Sequence, residues 1–316
     1  MPIFLDILIL IILFILLGWA ADFAVKNIKY LGIVLKIRLF VFGILLGLVT
    51  SLPELSLGIN ATIDNAAALS VGNLLGGIVV MLGLILGSSL LINRKIATDG
   101  RLSTLIPTVL VIFSPVLFGI DGKYGLLDGL MMIVLYVGLI FYLYRANNSG
   151  ISRNFEITDG NQIGKSILLA IVGVIGVLVA SYWIVDITLN LLNYINVSQM
   201  VIGILVFSIG TNLPEISITV TALRKKTSEL SLSHLLSSSF TNVLILGVLA
   251  LIRPIVFDTN HTFWVAGIFL GVMLTLFAVF YYSGRKMDRR EGAVLLIGYI
   301  LFIAANVYFS FFWASL

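Results

Sequence analysis

The chain has 316 residues, of which 60% are hydrophobic and 11% are charged, and its formal net charge is +4. Apolar runs of about 20 residues recur from one end to the other, which is the length needed to cross a bilayer and excludes a soluble globular domain. The absence of cysteine excludes disulfides and thiolate metal centres, and two histidines are too few for a typical zinc site.

The apolar runs, each ended by charged residues or by Pro/Gly-rich breaks, predict ten membrane-spanning helices. The first run lacks a basic leader and a small-residue cleavage site, so we expect a helix there rather than a signal peptide. Between the fifth and sixth spans lies a long polar stretch, RANNSGISRNFEITDGNQIGK, which predicts a linker and divides the chain into residues 1–145, 146–165 and 166–316. The spans are predicted at residues 3–25, 36–62, 67–93, 102–119, 124–144, 166–193, 198–223, 230–252, 262–283 and 292–315.

Lys and Arg are distributed unevenly among the connections between the predicted spans. The even-numbered connections hold only Lys123 and Arg253, and the other basic residues lie in or beside the odd-numbered connections. Because basic residues are retained in the cytoplasm, this predicts a multi-pass protein of the cell membrane with both termini outside and the linker inside. Since the basic residues follow membrane topology, we do not expect a nucleic-acid partner.

The chain repeats itself at an offset of 161 residues. TSLPELSLGINA at 50–61 aligns without a gap with TNLPEISITVTA at 211–222, and six of the twelve positions are identical. Each predicted half contains five spans, an odd number, so the second copy must enter the membrane upside down. The pattern predicts an all-α integral membrane fold of two inverted five-helix repeats with broken helices at the midplane, as in secondary transporters.

A glutamate lies deep inside a predicted span in each repeat. Glu54 follows Arg38 by 16 residues, about 24 Å of helix, and precedes Asp64 by 10 residues, about 15 Å. A carboxylate at that depth is costly unless it is paired or neutralised. Because the Lys and Arg residues all lie near span ends, the counter-charge at Glu54 and Glu215 must be a proton or a bound cation. Two neutral carboxyls that act only as helix caps are the structural alternative.

Both glutamates belong to a helix-start pattern. TSLPE and TNLPE each place a capping residue, Ser51 or Asn212, before a first-turn proline and a glutamate at the third helical position, as in a capping box. A helix that restarts in mid-membrane must be broken just before, at Thr50 and Thr211, leaving backbone groups that lipid cannot satisfy. The carboxylates, freed carbonyls and nearby hydroxyls form an oxygen-only set that suits Ca²⁺ or Na⁺ rather than soft transition metals.

The two motifs, each on the second helix of a five-helix inverted repeat, resemble the alpha repeats of the sodium/calcium exchanger (cation/Ca²⁺ antiporter) superfamily. The resemblance implies ten helices in which both motif glutamates share one Ca²⁺ ion, with the backbone carbonyls of the motif threonines as further ligands. By motif match these metal ligands are Glu54, Glu215, Thr50 and Thr211. The residues after the threonines, Ser51 and Asn212, are implied to help bind flanking Na⁺ ions.

A second family motif, close to GNxxGSNxxN, is only partly present. In the second half SHLLSSSFTN matches it at Ser238 and Asn242, which the resemblance implies as further cation ligands. In the first half GNLLGGIVVM places Gly77 where the serine is expected and Met81 where the last asparagine is expected. Glycine and methionine supply no good oxygen ligand for a hard cation, so we do not expect the family's three-Na⁺ stoichiometry.

The resemblance implies a secondary active antiporter, not an enzyme, that exchanges Ca²⁺ for Na⁺ or H⁺ by alternating access. Its partners would be the transported cations and the lipid bilayer, with no cofactor beyond those ions, and we expect it to act as a monomer. Two alternatives stay open: an antiporter for a different cation, and a non-transporting member that serves as a membrane scaffold or sensor. A channel is disfavoured because the repeats lack a continuous polar face.

Three further titratable residues carry weaker signals. Asp22 and Asp186, near the ends of the first and sixth spans, are interpreted as interfacial or packing residues, with an ion-entrance role as the alternative. His234 replaces the usual asparagine of the second motif. A hydrogen-bonded structural histidine is favoured there over a pH sensor.

Overall fold

The computed structural model describes residues 2–34, 47–93, 95–146, 163–194, 197–224 and 228–311. A helical turn at residues 47–50 precedes α2, and α3 and α7 contain π-helical stretches at Val80–Leu86 and Gly203–Phe207. The helices are α1 (Pro2–Val34), α2 (Leu52–Ile63), α3 (Ala67–Asn93), α4 (Leu102–Phe118), α5 (Leu126–Ala146), α6 (Ile163–Leu192), α7 (residues 199–211), α8 (Leu213–Arg224), α9 (Ser228–Ile252), α10 (His261–Tyr282) and α11 (Arg289–Phe311).

The chain is a helical membrane protein, as predicted. Within the described ranges eight helical stretches are long and apolar enough to cross a bilayer, and α4 is a shorter apolar helix. The predicted boundaries hold closely: α3 begins and ends at residues 67 and 93, whereas α1 continues to Val34 instead of ending at residue 25. Residues 36–46 of the second predicted span lie outside the described residues, so the count of ten spans stays a prediction.

The all-α prediction is confirmed, and two short antiparallel strand pairs that were not predicted join the ends of the helices. β1 (Lys95–Ala97) pairs with β4 (Lys286–Asp288), with Ile96 opposite Met287. β2 (Lys123–Tyr124) pairs with β3 (Ile255–Val256), with Tyr124 opposite Ile255. Such strands satisfy the backbone groups of the connections, which otherwise lack hydrogen-bond partners where helices end.

The two strand pairs relate the halves of the chain to one another. β1 follows α3 and β2 follows α4 in the first half, while β3 follows α9 and β4 follows α10 in the second. Each pair therefore joins the connection after the third predicted span of one half to the connection after the fourth span of the other. Because α4 runs from β1 to β2, the two pairs lie at opposite ends of a helix about 25 Å long.

The interior contains two apolar clusters. The larger one joins α3, α4, α5, α9, α10 and α11, and the smaller one joins α1 and α6 to α2, α3 and α7. α1 packs chiefly along α6. The α1–α6 pair thus forms a layer that lies against the elements containing the repeated motifs.

α3 and α7 approach each other closely at two glycines. A Cβ atom placed on Gly72 would lie 2.2 Å from the carbonyl oxygen of Met200, and one on Gly203 would lie 2.3 Å from that of Leu69. No side chain fits at either distance, so hydrogen at Cα is what permits the backbone contact.

Gly72→Ala is expected to destabilise the protein, because the added methyl group must displace the backbone of α7; overpacking of this kind costs about 1–3 kcal/mol. Gly138→Ala is the matched control, since nothing lies within 4 Å of the Cβ position there. Thermal unfolding in detergent should show a lower Tm for Gly72→Ala and an unchanged or higher Tm for Gly138→Ala. Equal Tm values for the two variants would contradict the close crossing.

Candidate functional site

Both motif helices are interrupted at the predicted depth. In the first half Ser51 has turn geometry, with φ −89° and ψ 12°, between the helical residues 47–50 and α2. In the second half Asn212, with φ −82° and ψ 9°, separates α7 from α8. Pro53 and Pro214 then follow within the first turn of each new helix, where a missing amide hydrogen costs least.

The position of the break and the capping prediction need correction. The turns fall at Ser51 and Asn212, so Thr50 and Thr211 are the last residues of the preceding helical stretches and not the break itself. Ser51 makes no side-chain cap hydrogen bond. Asn212 instead donates from Nδ2 to the carbonyl oxygen of Ser208 at 2.7 Å. The side chains of Ser51 and Asn212 therefore do not cap the helices that begin after them.

All eight predicted site residues are buried. Glu54 is 2% exposed and Glu215 is 1% exposed. The others, none more than 2% exposed, are Thr50, Thr211, Ser51, Asn212, Ser238 and Asn242. Ser238 and Asn242 lie one helical turn apart on α9, so their side chains share a face of that helix.

The structure brings each motif glutamate to the threonine of the other motif. The Glu54 side chain contacts that of Thr211, and the Glu215 side chain contacts that of Thr50. The hydroxyl of Ser238 also donates to Glu215 Oε1 at 3.3 Å. Residues separated by half the chain thus meet at one place, as an inverted repeat requires.

The two carboxyl groups face each other, and no described residue is a basic partner to them. The Glu215 carboxyl group lies close enough to that of Glu54 for the two charges to repel each other. The two ion pairs formed by described residues, Lys26 with Asp22 at 2.6 Å and Lys123 with Asp121 at 3.7 Å, lie elsewhere. Two like charges in a buried region repel each other and lose hydration, so an ionised pair requires a positive partner.

Four buried oxygen atoms in this region have no hydrogen-bond partner. They are Glu54 Oε2, Glu215 Oε2, Asn212 Oδ1 and Asn242 Oδ1, which we call the open oxygens. The orientation of both amides is set by their nitrogens, because Asn242 Nδ2 donates to the carbonyl oxygen of Leu74 at 3.1 Å just as Asn212 Nδ2 donates to Ser208. Buried acceptors without donors cost free energy, and a hard cation satisfies several of them at once.

The first half contributes no side-chain oxygen at Gly77 and Met81, the two positions where it departs from the second family motif. A Cβ at Gly77 would lie 3.1 Å from Asn212 Nδ2 and 3.3 Å from Asn242 Nδ2, so both amides border that position. Met81 is 1% exposed and its sulfur accepts a contact from the hydroxyl of Ser239 at 3.6 Å. The ligand set is therefore asymmetric, with amide and hydroxyl groups mainly from the second half.

Two polar features of the site were not predicted from the sequence. Asn73 Oδ1 accepts a hydrogen bond from the hydroxyl of Thr211 at 3.1 Å and so positions that motif threonine. On the other side of α2, Ser56 hydrogen-bonds to Ser181 of α6, and Asn60 Nδ2 donates to the same Ser181 hydroxyl at 3.2 Å. Asn73 lies in the partly matched second motif, GNLLGGIVVM, and could have been singled out there. Nothing in the sequence relates Ser56 to Ser181, which is 125 positions away.

The three weaker candidates lie outside the carboxylate pair. Asp22 pairs with Lys26 within one turn of α1, in agreement with an interfacial role. Asp186 is half-buried on α6, and His234 is half-buried on α9 one turn before Ser238.

Most of the chain matches a known protein family. A family model described as "Sodium/calcium exchanger protein" matches residues 5–145 and 165–308, which is nearly all of both predicted halves.

Full-length relatives share about a quarter of the residues. An uncharacterized membrane protein of Methanocaldococcus jannaschii is 25% identical over 295 residues, covering 92% of this chain and 94% of the relative. The sodium/calcium exchanger MaX1 of Methanosarcina acetivorans is 24% identical over 354 residues, covering 96% and 99%.

The fold is similar to that of solved exchanger structures. A structure of the sodium-calcium exchanger NCX_Mj soaked with Na⁺ and Sr²⁺ aligns with a TM-score of 0.67 and 25% identity, covering 96% of this chain and 99% of that one. The similarity extends over both halves and is not confined to the motifs.

Ca²⁺ is expected to raise the Tm of the purified protein, because a cation that binds the folded site alone stabilises it, by about 2.7 kcal/mol at 100 times Kd. Glu54→Gln and Glu215→Gln should each abolish the shift. Asp121→Asn, which changes an exposed carboxylate outside the site, should keep it. A Ca²⁺-dependent shift of full size in both glutamine variants would exclude the carboxylate pair as the binding site.

Proposed function

Because the chain belongs to the sodium/calcium exchanger protein family, we propose that it is a secondary active antiporter that exchanges Ca²⁺ for Na⁺ or H⁺. The observation that carries this proposal is the pair of buried carboxylates from opposite halves, with four open oxygens and no basic partner among the described residues. Such a set binds a hard cation and has no evident structural purpose without one.

In the proposed site, Glu54 and Glu215 share one Ca²⁺ ion. Their four carboxylate oxygens neutralise its charge, and the backbone carbonyls of Thr50 and Thr211 complete part of the coordination shell. The neutral side chains flank this position and bind the monovalent ions that compete with Ca²⁺. These flanking residues are Ser51, Asn212, Ser238 and Asn242.

We further propose that ten helices form two inverted five-helix repeats, residues 1–145 and 166–316, joined by a linker at 146–165. The two strand pairs support this arrangement. Each pair joins the connection after the third span of one half to the connection after the fourth span of the other half, and the two pairs lie at opposite ends of α4. Lys95, Arg101 and the basic residues of the β4 region lie at one of these ends, and Lys123 and Arg253 at the other. The basic end is the proposed cytoplasmic side, so both termini would be outside. We expect a monomer to suffice, since one chain contains both halves of the site.

Alternating access would require the α1–α6 layer to move relative to the elements that contain the motifs. The extensive packing of α1 along α6 supports treating these two helices as one layer. Ser181 of α6 contacts Ser56, two residues beyond Glu54 on α2. A shift of α6 therefore alters a contact next to the ion site, which connects occupancy of the site to the position of the layer.

The proposal is tested by Ca²⁺ uptake into liposomes that contain the purified protein. Uptake of ⁴⁵Ca²⁺ is expected under an imposed Na⁺ gradient, under a pH gradient, or under both, and the responsive arm identifies the coupling ion. Glu54→Gln and Glu215→Gln should each reduce the rate at least 100-fold, because each leaves one negative charge against a divalent ion. Asp121→Asn should transport normally.

Absence of Ca²⁺ uptake under both gradients would contradict the proposed function. A folded chain that binds Ca²⁺ without moving it would support a sensor or scaffold. Normal uptake by both glutamine variants would show that the transport site lies elsewhere.

A further inference from the structure

We propose that a cavity between the last turn of α3 and the first turn of α11 binds the phosphate headgroup of an anionic phospholipid, with one acyl chain lying along the exposed face of α11. The cavity has a volume of about 700 Å³. Its walls are formed by Leu91, Lys95, Asp288, Arg289, Arg290 and Ala293. None of these residues belongs to the carboxylate site, so binding of a lipid here does not depend on the proposed exchange activity.

The walls of this cavity carry an excess of positive charge. Lys95, Arg289 and Arg290 are exposed, and the two ion pairs formed by described residues lie elsewhere. Asp288 is the acidic residue of the walls, and its Oδ1 accepts hydrogen bonds from the backbone amides of Arg290 at 2.8 Å and Glu291 at 3.2 Å. That carboxylate caps α11, so within the described part of the chain the three cations have no paired counter-charge.

Two other acidic side chains near the cavity have hydrogen-bond partners of their own. Glu291 Oε2 accepts from the backbone amide of Asp288 at 2.7 Å, and its Oε1 accepts from the hydroxyl of Ser283 at 3.1 Å. Asp99 Oδ1 accepts from the hydroxyl of Tyr281 at 2.9 Å. The acidic residues whose side chains lie outside the described part of the chain are Glu156, Asp159 and Glu229.

The tertiary structure holds the three cations together. Arg289 Nε donates to the carbonyl oxygen of Leu91 at 2.8 Å, which fixes the guanidinium across the gap between α11 and α3. Its terminal nitrogens remain available for a phosphate group, whose oxygens match the guanidinium fork. The pairing of β1 with β4 places Lys95 opposite Asp288, directly beside Arg289. Retention of basic residues in the cytoplasm accounts for their number at this end of the helices, but it does not require residues from opposite halves to share one cavity.

An exposed apolar stripe continues from the cavity along α11. Spacings of four, three and four residues place Arg290, Val294, Ile297 and Leu301 on one face of the helix. The three apolar members are between 41% and 56% exposed. The stripe is about 16 Å long, roughly half the thickness of the hydrocarbon core of a bilayer. A free phosphate ion would use only the cations, whereas a phospholipid also covers the apolar stripe, so a phospholipid is the occupant that fits both parts.

The test measures binding of dioleoyl phosphatidylglycerol and of dioleoyl phosphatidylcholine to the full-length protein by native mass spectrometry from detergent. The apparent Kd for phosphatidylglycerol should be about 10-fold lower, because phosphatidylcholine has the same phosphate group but also a balancing positive charge. Inorganic phosphate at millimolar concentration should not displace phosphatidylglycerol, since it leaves the apolar stripe uncovered. Equal affinity for both lipids, or displacement by phosphate, would overturn the proposal.

Two double variants with the same loss of charge separate the cavity from the general charge at this end of the helices. Lys95→Gln with Arg290→Gln should weaken binding of phosphatidylglycerol about 10-fold or more, because charge-assisted hydrogen bonds to phosphate are lost. Arg101→Gln with Lys286→Gln is the control, since both residues are exposed and neither lines the cavity. Equal weakening in the two double variants would show diffuse attraction in place of a site.

Arg289→Lys provides a second test that keeps the charge. Loss of the guanidinium fork and of its hydrogen bond to Leu91 should weaken binding of phosphatidylglycerol and leave that of phosphatidylcholine unchanged. Unchanged binding of phosphatidylglycerol would overturn a site built on all three cations. The Tm of each variant without added lipid, compared with that of the wild type, shows that the variant is folded.

A final variant tests the acidic side chains outside the described part of the chain. It combines Glu156→Gln, Asp159→Asn and Glu229→Gln, and is made both in the wild type and together with Lys95→Gln and Arg290→Gln. Any change in binding of phosphatidylglycerol should be the same in both backgrounds. Tighter binding in the wild-type background alone would show that one of these carboxylates occupies the cavity, and would overturn the proposal.

Discussion

Two carboxylates are held in a buried region where the described part of the chain offers them no basic partner, and the rest of the architecture follows from that constraint. A single Glu54 or Glu215 in hydrocarbon would be costly at any position along its span. Together with the other open oxygens, they form the set that we propose binds a positive ion. In the proposed site, the free energy of ion binding opposes the cost of burying the two carboxylates.

The helix breaks place the pair where the two halves meet. Pro53 and Pro214 lie at equivalent positions in the two repeats, where each lacks an amide hydrogen for helical hydrogen bonding. The chain can therefore change direction there, so that each glutamate side chain lies toward the other half. Close packing holds the two halves together, because Gly72 and Gly203 permit backbone contact between α3 and α7. The α1–α6 layer packs against these elements through an apolar cluster of its own, and it is the layer that we propose moves.

Much of this was predictable from the sequence, because the determining patterns are local or repeated. Apolar runs of bilayer length located the helices, and the repeat at 161 residues identified Glu54 and Glu215 as a pair. Other features depend on tertiary geometry. The turn falls at Ser51 and not at Thr50, the expected serine cap is absent, and β1 pairs with a strand from the other half. The Ser56–Ser181 contact joins helices whose register no local pattern specifies.

The central claim is that Glu54 and Glu215 bind one divalent cation between them. Anomalous diffraction from crystals soaked in Sr²⁺, which replaces Ca²⁺ as a hard divalent ion, tests it most directly. The account predicts a single buried peak bridging both carboxylates at coordination distances of about 2.3–2.6 Å. A peak on one glutamate alone, two separate peaks, or density confined to the protein surface would contradict it.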